Sequence, residues 1–545
     1  MPQRLLSVLL GIWGAACGPL VQAQQVPRVL PDVPEVLAEP FDPMSASMDD
    51  QQRAEQGLLP LYARFVEVHA GSAFTGHWKD LPDGQGRLWQ QRLRSPGAQA
   101  TELFLEDVHL PAGAYLHVHD VAGEQVHGPY TAADVTVDGG LTTAMVVGEE
   151  SVISYHEPGS VRGQGRLSIH KLAHAYALSE AELGGNCHVD VNCPEGADWV
   201  PQRDAVVRIR VVISQGTGWC TGTLMNNTEE DCTPYILSAL HCTEESSAGH
   251  FAQYQFRFNF QRDGCGTGTS PIQVMTGCTR VADSNDQGGD LGSDFVLLLL
   301  NDEIPEGYNA FFAGWDATNT ASSSGVGLHH PGGNEKRIST YTTELTTTQW
   351  WLGNGSHWQV NWSATENGHG VTEGGSSGSP LFNSVGRVVG TLTGGLSCCT
   401  VGGCGQNTGP NAPDKYGKMS YHWTNNPNIT SQKLRAFLSP GPNLTTFDGR
   451  YDPCGLNGVT EQMAPASPVI MPNPARGMFN VVWAIPPGPG AWVEVMDASG
   501  RVVHHERMKD RDRIEMDASN WAQGLYLVRT AGEEGMQPAV RLSVW

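Results

Sequence analysis

An all-β fold is what the sequence predicts, and three observations predict it. Glycine and proline are plentiful, at 65 and 34 of 545 residues, and charged residues make up only 17%. Short apolar runs alternate with turn residues throughout, the pattern of strands joined by tight turns. Long amphipathic helices are scarce. A chain of this length exceeds one ordinary core, so two to four domains are expected. The formal net charge of −24, from 57 acidic against 33 basic residues, argues against a nucleic-acid partner, because phosphate binding needs a cationic footprint.

The domains can be taken in chain order. Residues 1–23 read as an export signal: Arg4 supplies the positive end, Leu5 to Val21 the apolar stretch, and Val21-Gln22-Ala23 the small-residue cleavage site. Cleavage before Cys17 with lipid attachment is the lesser alternative, since Gly14 stands where such a signal carries an aliphatic residue. No later stretch has the roughly 18 unbroken apolar residues that span a bilayer, so the mature chain is expected to be soluble, without a transmembrane segment. Residues 24–183 hold no cysteine and alternate as strands do in Thr101-Glu102-Leu103-Phe104-Leu105 and Ala114-Tyr115-Leu116-His117-Val118-His119. They predict a β-sandwich whose place before the cysteine-rich region makes it a removable propeptide.

Of the 12 cysteines, all but Cys17 fall between Cys187 and Cys454. That confinement predicts one disulfide-stapled domain, residues 184–454, in an oxidising compartment, with one thiol left over. The cluster Cys398-Cys399…Cys404 looks superficially like a metal site, but export favours disulfides, and no metal is expected. A polar, proline-bearing linker, 455–468, leads to a unit at 469–545. Its strands, Met478 to Ile485, Ala491 to Met496, Arg501 to His505 and Gly524 to Arg529, predict an immunoglobulin-like β-sandwich.

Acyl transfer needs a hydroxyl beside a base, a carboxylate to orient the base, and N–H donors facing the developing oxyanion. Gly374-Gly375-Ser376-Ser377-Gly378-Ser379-Pro380 sets a serine among glycines that let the backbone turn tightly, so Ser377 is the candidate nucleophile, with the N–H groups of Gly375 and Ser377 as the oxyanion hole. Standing alone this is only a Gly/Ser loop. Tyr235-Ile236-Leu237-Ser238-Ala239-Leu240-His241-Cys242 is an apolar strand ending in a histidine, which a Cys220–Cys242 bridge would pin beside the nucleophile. Asp294 opens the apolar run Phe295 to Leu300, where a buried carboxylate is costly unless paired. Asp290 is the competing acid, set apart from the strand by Gly292 and Ser293.

These segments, in the order Cys220, Ala239-Leu240-His241-Cys242, Ser293-Asp294-Phe295 and Gly375 to Pro380, resemble the trypsin-like serine peptidases, and the chain order His, Asp, Ser is that of the same fold. Within that superfamily the chain is similar to bacterial lysyl endopeptidase over roughly residues 184–450. The segments that carry the similarity are Cys187-His188-Val189-Asp190-Val191-Asn192-Cys193-Pro194-Glu195-Gly196, His329-His330-Pro331, Lys336-Arg337-Ile338-Ser339 and Val371-Thr372-Glu373. The resemblance implies a double β-barrel with a C-terminal helix, His241 as base, Asp294 as its orienting carboxylate and Ser377 as nucleophile. It also implies the bridges Cys187–Cys399, Cys193–Cys265 and Cys220–Cys242, and leaves Cys232, Cys278, Cys398, Cys404 and Cys454 unassigned. For specificity it implies Asp414 as the lysine-binding acid. Thr393 stands where the family has a histidine near the pocket, its tryptophan partner falls at Trp350 or Trp351, and Glu373 is a further pocket candidate.

The expected function is a secreted serine endopeptidase cutting after basic residues, with a preference for lysine, acting as a monomer on peptide substrates without a cofactor. The competing readings are an arginine or mixed preference, and a surface adhesin that keeps the fold without turnover. Lys171, just before the cysteine-rich region, is the expected self-cleavage point. His170 and His174, which flank it, have a helix's one-turn spacing but lack a zinc peptidase's glutamate, and are read as chance. The last unit resembles the sorting domain of type IX secretion in Pro472-Asn473-Pro474, Gly477, Val495 to Gly500 and Trp521 to Val528, which implies passage through the bacterial export and outer-membrane machinery to the cell surface or beyond.

Overall fold

The computed structural model describes residues 29–544 apart from 74, 179–186, 269–272, 403, 442, 457–468, 472, 474, 483–490, 508–512, 533–534 and 537–539. The expected signal, the 183/184 boundary and most of the linker therefore lie outside the described residues. Two compact units divide between Cys454 and Gly455.

In the larger unit, the N-terminal strands form two layers. One is the six-stranded sheet of Glu35–Leu37, His77–Asp80, Arg87–Arg94, Glu150–Glu157, Tyr115–His119 and Val126–Tyr130. The other is built on Leu61–Gly71, Arg166–Ala175 and Ala100–His109. Alternate side chains of each meet in one core, with Trp89, Leu116 and Tyr155 facing Val66, Leu103 and Leu172, as the period-two pattern of strands requires.

This second layer does not end at the N-terminal region. Leu61–Gly71 pairs antiparallel with Gly216–Met225, in register Arg64 with Gly216, Ala63 with Thr217 and Leu61 with Gly218. A single twelve-stranded sheet thus runs on into the cysteine-rich region, and Leu61, Tyr62 and Phe104 share a core with Val207, Ile209 and Val211. Alternation foretells a strand, but not which edge it joins.

Lys171 lies on Arg166–Ala175, bonded to a neighbour on both sides. Its Nζ is 4.3 Å from the Phe65 ring centre, and burial lowers its pKa. A peptide bond held in the middle of a sheet cannot thread a cleft without unfolding, which corrects the expectation of cleavage there. Its neighbours are on a strand as well, so their four-residue spacing spans about 13 Å, and His174 is hydrogen-bonded to Ser95 Oγ at 2.7 Å.

The cysteine-rich region folds into two barrels. Val206–Val212, Gly216–Met225, Tyr235–Ser238, Val296–Leu300 and Cys278–Asp283 form the first, with Gln255–Phe258 and Gln273–Thr276 extending it. The second takes Val189–Asp190, Arg337–Tyr341, Gly325–His329, Pro380–Asn383, Val388–Gly395, Asp414–Lys418, His357–Val360 and Thr346–Thr348. Between them lies a core that includes Phe295, Leu297, Phe382 and Trp423. The expected C-terminal helix is short, Met419–Thr424, and buries Met419 and Trp423. Cys187–Cys399, Cys193–Cys265 and Cys220–Cys242 are bonded, as are Cys232–Cys454 and Cys398–Cys404. The apparent metal cluster is thereby two disulfides, and the thiol left over is Cys278, which is buried.

The C-terminal unit has its own core, in which Phe479 and Val481 of one small sheet meet Val493, Val495, Val528 and Leu542 of another. Among the described residues, no helix is long and apolar enough to cross a membrane.

Candidate active site

The site is assembled at the ends of strands from both barrels. Tyr235–Ser238 pairs antiparallel with Val296–Leu300, and Ser238 lies opposite Val296. Three residues past the first strand and two before the second, His241 and Asp294 therefore leave the same end of the pair. Asp294 is fully buried, with φ of +59°, a left-handed conformation that aspartate adopts more readily than most residues. One carboxylate oxygen accepts the His241 backbone N–H at 2.9 Å and the other faces His241 Nδ1 at 2.7 Å. Asp294 in turn donates its own N–H to Asp286 Oδ2 at 2.8 Å.

This second buried acid is one that sequence reasoning missed. The sequence offered Asp290 as the alternative carboxylate, yet it is Asp286 that backs the pair, held by Ser284 Oγ and Gly289 N–H. Burial opposes charging of the His241 imidazole. The Asp294 carboxylate and its hydrogen bond, with Glu244 and Asp286 adding to them, outweigh that and raise its pKa above the ordinary 6.5. Behind Asp294, Ser293 Oγ meets His422 Nδ1 at 2.7 Å, and Thr391 Oγ1 meets His422 Nε2 at 2.9 Å. Burial holds His422 well below its ordinary pKa, so it acts as a neutral post.

Ser377 precedes the second-barrel strand Pro380–Asn383 and is half-buried. Its carbonyl accepts the Thr221 N–H at 2.8 Å, across the barrel junction. Cys242 Sγ lies 4.0 Å from that carbonyl oxygen and 4.0 Å from His241 Nε2, so the disulfide to Cys220 sits between serine loop and imidazole. Gly375 and Gly378 take φ of +89° and +80°, and a Cβ on Gly378 would meet Ser238 Oγ at 2.1 Å. Only glycine permits that turn and that approach. Thr221 Oγ1 donates to the Gly375 carbonyl at 2.9 Å, and His329 Nδ1 lies 2.8 Å from Ser376 Oγ, fixing the loop from behind. Among the described residues, neither the Gly375 nor the Ser377 N–H donates to a protein acceptor.

Asp414, on the strand that lies beside Val388–Gly395, is fully buried. Its Oδ2 accepts from Trp362 Nε1 at 2.7 Å, Thr372 Oγ1 at 2.7 Å and Ser397 Oγ at 2.6 Å, and its Oδ1 from the Ser397 N–H at 3.0 Å. Burial raises its pKa above the ordinary carboxylate value, and these donors offset only part of that shift. No lysine, arginine or histidine pairs with it among the described residues. Trp350 lies against Gly394, where a Cβ would be 3.0 Å from the indole, while Trp351 is 66% exposed. Thr393 Oγ1 is 3.0 Å from His357 Nε2. Glu373 Oε2 lies 3.2 Å from His188 Nε2. Trp362 and Ser397 carried no signal in the sequence, and Thr372 only as part of Val371-Thr372-Glu373, since none is tied to Asp414 until folding brings it there.

The comparisons point the same way as the site: the chain is similar to known endopeptidases. Residues 182–417 match the family model of the lysyl endopeptidase C-terminal domain, and residues 469–540 that of the secretion system C-terminal sorting domain. The lysyl endopeptidase of Pseudomonas aeruginosa is 27% identical over 350 residues, covering 60% of this chain and 72% of the relative. Similar solved structures include the thermostable serine protease AL20 from an extremophilic microorganism, at 15% identity, TM-score 0.30, covering 40% of this chain and 93% of that one. A Glu endopeptidase is also similar, at 13% identity, TM-score 0.28, covering 44% and 94%. The chain thus resembles bacterial lysyl endopeptidase and ends in a type IX secretion sorting domain, which marks a secreted or cell-surface protein.

Proposed function

We propose that the protein hydrolyses peptide bonds after lysine by a serine acyl-enzyme mechanism. Ser377 Oγ attacks the scissile carbonyl as His241 Nε2 takes its proton. Asp294 holds the ring with Nδ1 protonated and stabilises the imidazolium. The N–H groups of Gly375 and Ser377 receive the oxyanion, His241 returns the proton to the leaving amine, and water repeats the sequence to release the acyl product. The observation that carries this reading is the buried Asp294–His241 pair across the barrel junction from a tight serine loop with two unengaged N–H donors.

The lysine preference rests on Asp414, a buried carboxylate with no cation of its own. Its Oδ2 already accepts three donors while Oδ1 accepts one. One open oxygen suits a single ammonium better than the two-pronged guanidinium of arginine. Replacing Asp414 with asparagine is expected to cost about 3–5 kcal/mol, on the order of a hundred- to a few-thousandfold in kcat/KM for lysyl peptides. Kinetics on matched Lys and Arg peptides check this, and a variant that still prefers lysine would remove Asp414 from the pocket. An active-site phosphonate that labels the native chain and not Ser377→Ala tests the chemistry; an unlabelled native chain would favour a binding protein on this fold.

His241 sets the pH dependence. It must be neutral to accept a proton, so its raised pKa places the acid limb of kcat/KM at a pH above 6.5. Asp286→Asn removes one of the negative charges that raise it and should move the limb toward lower pH. A limb that stays in place in that variant would separate Asp286 from the base.

In this reading residues 1–23 are the export signal, 24–183 a propeptide, 184–454 the peptidase, 455–468 a linker and 469–545 the sorting domain. Intact mass and N-terminal sequencing of the secreted form test these boundaries.

A further inference from the structure

One element of the propeptide range lies beside the serine loop. Gly216–Met225 runs toward Cys220, whose disulfide partner Cys242 follows His241. The antiparallel strand Leu61–Gly71 therefore runs away from that centre, and the residues just before it point inward. Pro60 Cγ is 4.0 Å from where a Cβ on Gly374 would stand, one residue from the Gly375 donor. Leu59 presses on Gly218, where a Cβ would be 2.6 Å from its Cδ2. Tyr62 stacks on Trp219 with ring centres 4.2 Å apart and planes within 4°. The segment is clamped from above by Arg53, which donates to the Leu59 carbonyl at 2.9 Å and pairs with Glu245, four residues past His241.

The lysine pocket at Asp414 belongs to the second barrel, so a substrate with lysine in that pocket must carry its chain beyond the scissile bond over the first-barrel edge. Residues 58 to 63 follow that course with the same N-to-C direction. Upstream, the chain bends at Gly57, with φ of +73°, into the helix Pro43–Glu55. The segment thus brings no cation to Asp414.

We propose that Leu58–Ala63 is a built-in mimic of the leaving peptide, which fills the product side of the cleft and leaves the lysine pocket empty. The inference rests on the peptidase reading above. It makes the unprocessed chain selectively latent: closed to substrates that extend past lysine, open to those that do not. Tyr62 and Arg53 are its latches, and Trp219 is the surface that, once uncovered, receives the substrate's leaving segment.

The test uses the unprocessed full-length chain in initial-rate assays, with intact mass checked before and after. A lysyl methyl ester should be hydrolysed within about threefold of the processed enzyme's rate, and a peptide with four residues after lysine at least a hundredfold more slowly, since product-side contacts alone are blocked. Tyr62→Ala should raise peptide hydrolysis by the unprocessed chain about tenfold, the fold-change that loss of one stacked aromatic converts to, and leave ester hydrolysis unchanged. Arg53→Gln is the second variant and should act in the same direction. A precursor that rejects ester and peptide alike, or accepts both, or responds to neither variant, overturns the proposal while the processed enzyme still cleaves after lysine. If the processed chain cleaves nothing and takes up no phosphonate, the peptidase reading itself fails, and the mimic with it.

Discussion

Replacing Ser377 with alanine is expected to lower kcat by about six orders of magnitude, with folding intact. The loop does not depend on the hydroxyl. Its backbone is held by Thr221 N–H to the Ser377 carbonyl, by Gly378 N–H to the Leu392 carbonyl, and by Ser376 against His329. In the proposed mechanism the substitution removes the nucleophile and leaves His241 with no proton to take. His241→Ala should cost about as much, and the double variant hardly more, because the two act as one unit. Steady-state kinetics on a lysyl peptide, with circular dichroism to confirm folding, measure all three. A Ser377→Ala enzyme within a hundredfold of the parent would take this residue out of the chemistry.

Asp294→Asn is expected to lower kcat by about four orders of magnitude with little change in KM. The two carboxylate oxygens have separate duties, one toward the His241 backbone N–H and one toward Nδ1. Asparagine has a single acceptor for both. If it serves the backbone, its NH₂ faces Nδ1 and forces the proton onto Nε2, the tautomer that cannot accept from Ser377. Asparagine tolerates the left-handed conformation at this position, so the backbone is kept and the loss reports tautomer and charge rather than unfolding. A drop of less than tenfold would mean that another acid, Asp286 first, orients the ring.

The parts of this site that were legible in the sequence are those whose signal is local. An apolar strand closing on His241-Cys242, an acid opening the run Phe295 to Leu300, and a glycine-bounded serine are each contained in fewer than ten residues. The family resemblance extended this to three disulfides and to Asp414. What was misjudged depends on distant partners. Asp286, which backs Asp294, drew no notice, and Lys171 was expected as a self-cleavage point although it lies mid-sheet. A carboxylate looks the same in sequence whether it is solvated or shut behind another.

By itself the sequence determined the strand periodicity and the oxidising compartment, because each is written in composition or short-range spacing, while the order of the candidate catalytic residues and the tail's address were legible through family resemblance. Only the tertiary structure decided that Cys232 reaches Cys454, that four donors surround Asp414, and that Leu61–Gly71 adds itself to the edge at Gly216–Met225. The physical reason is that an unpaired strand edge or a buried carboxylate accepts any partner of suitable shape and hydrogen bonding. The choice among candidates separated by a hundred residues or more is made by how the cores close.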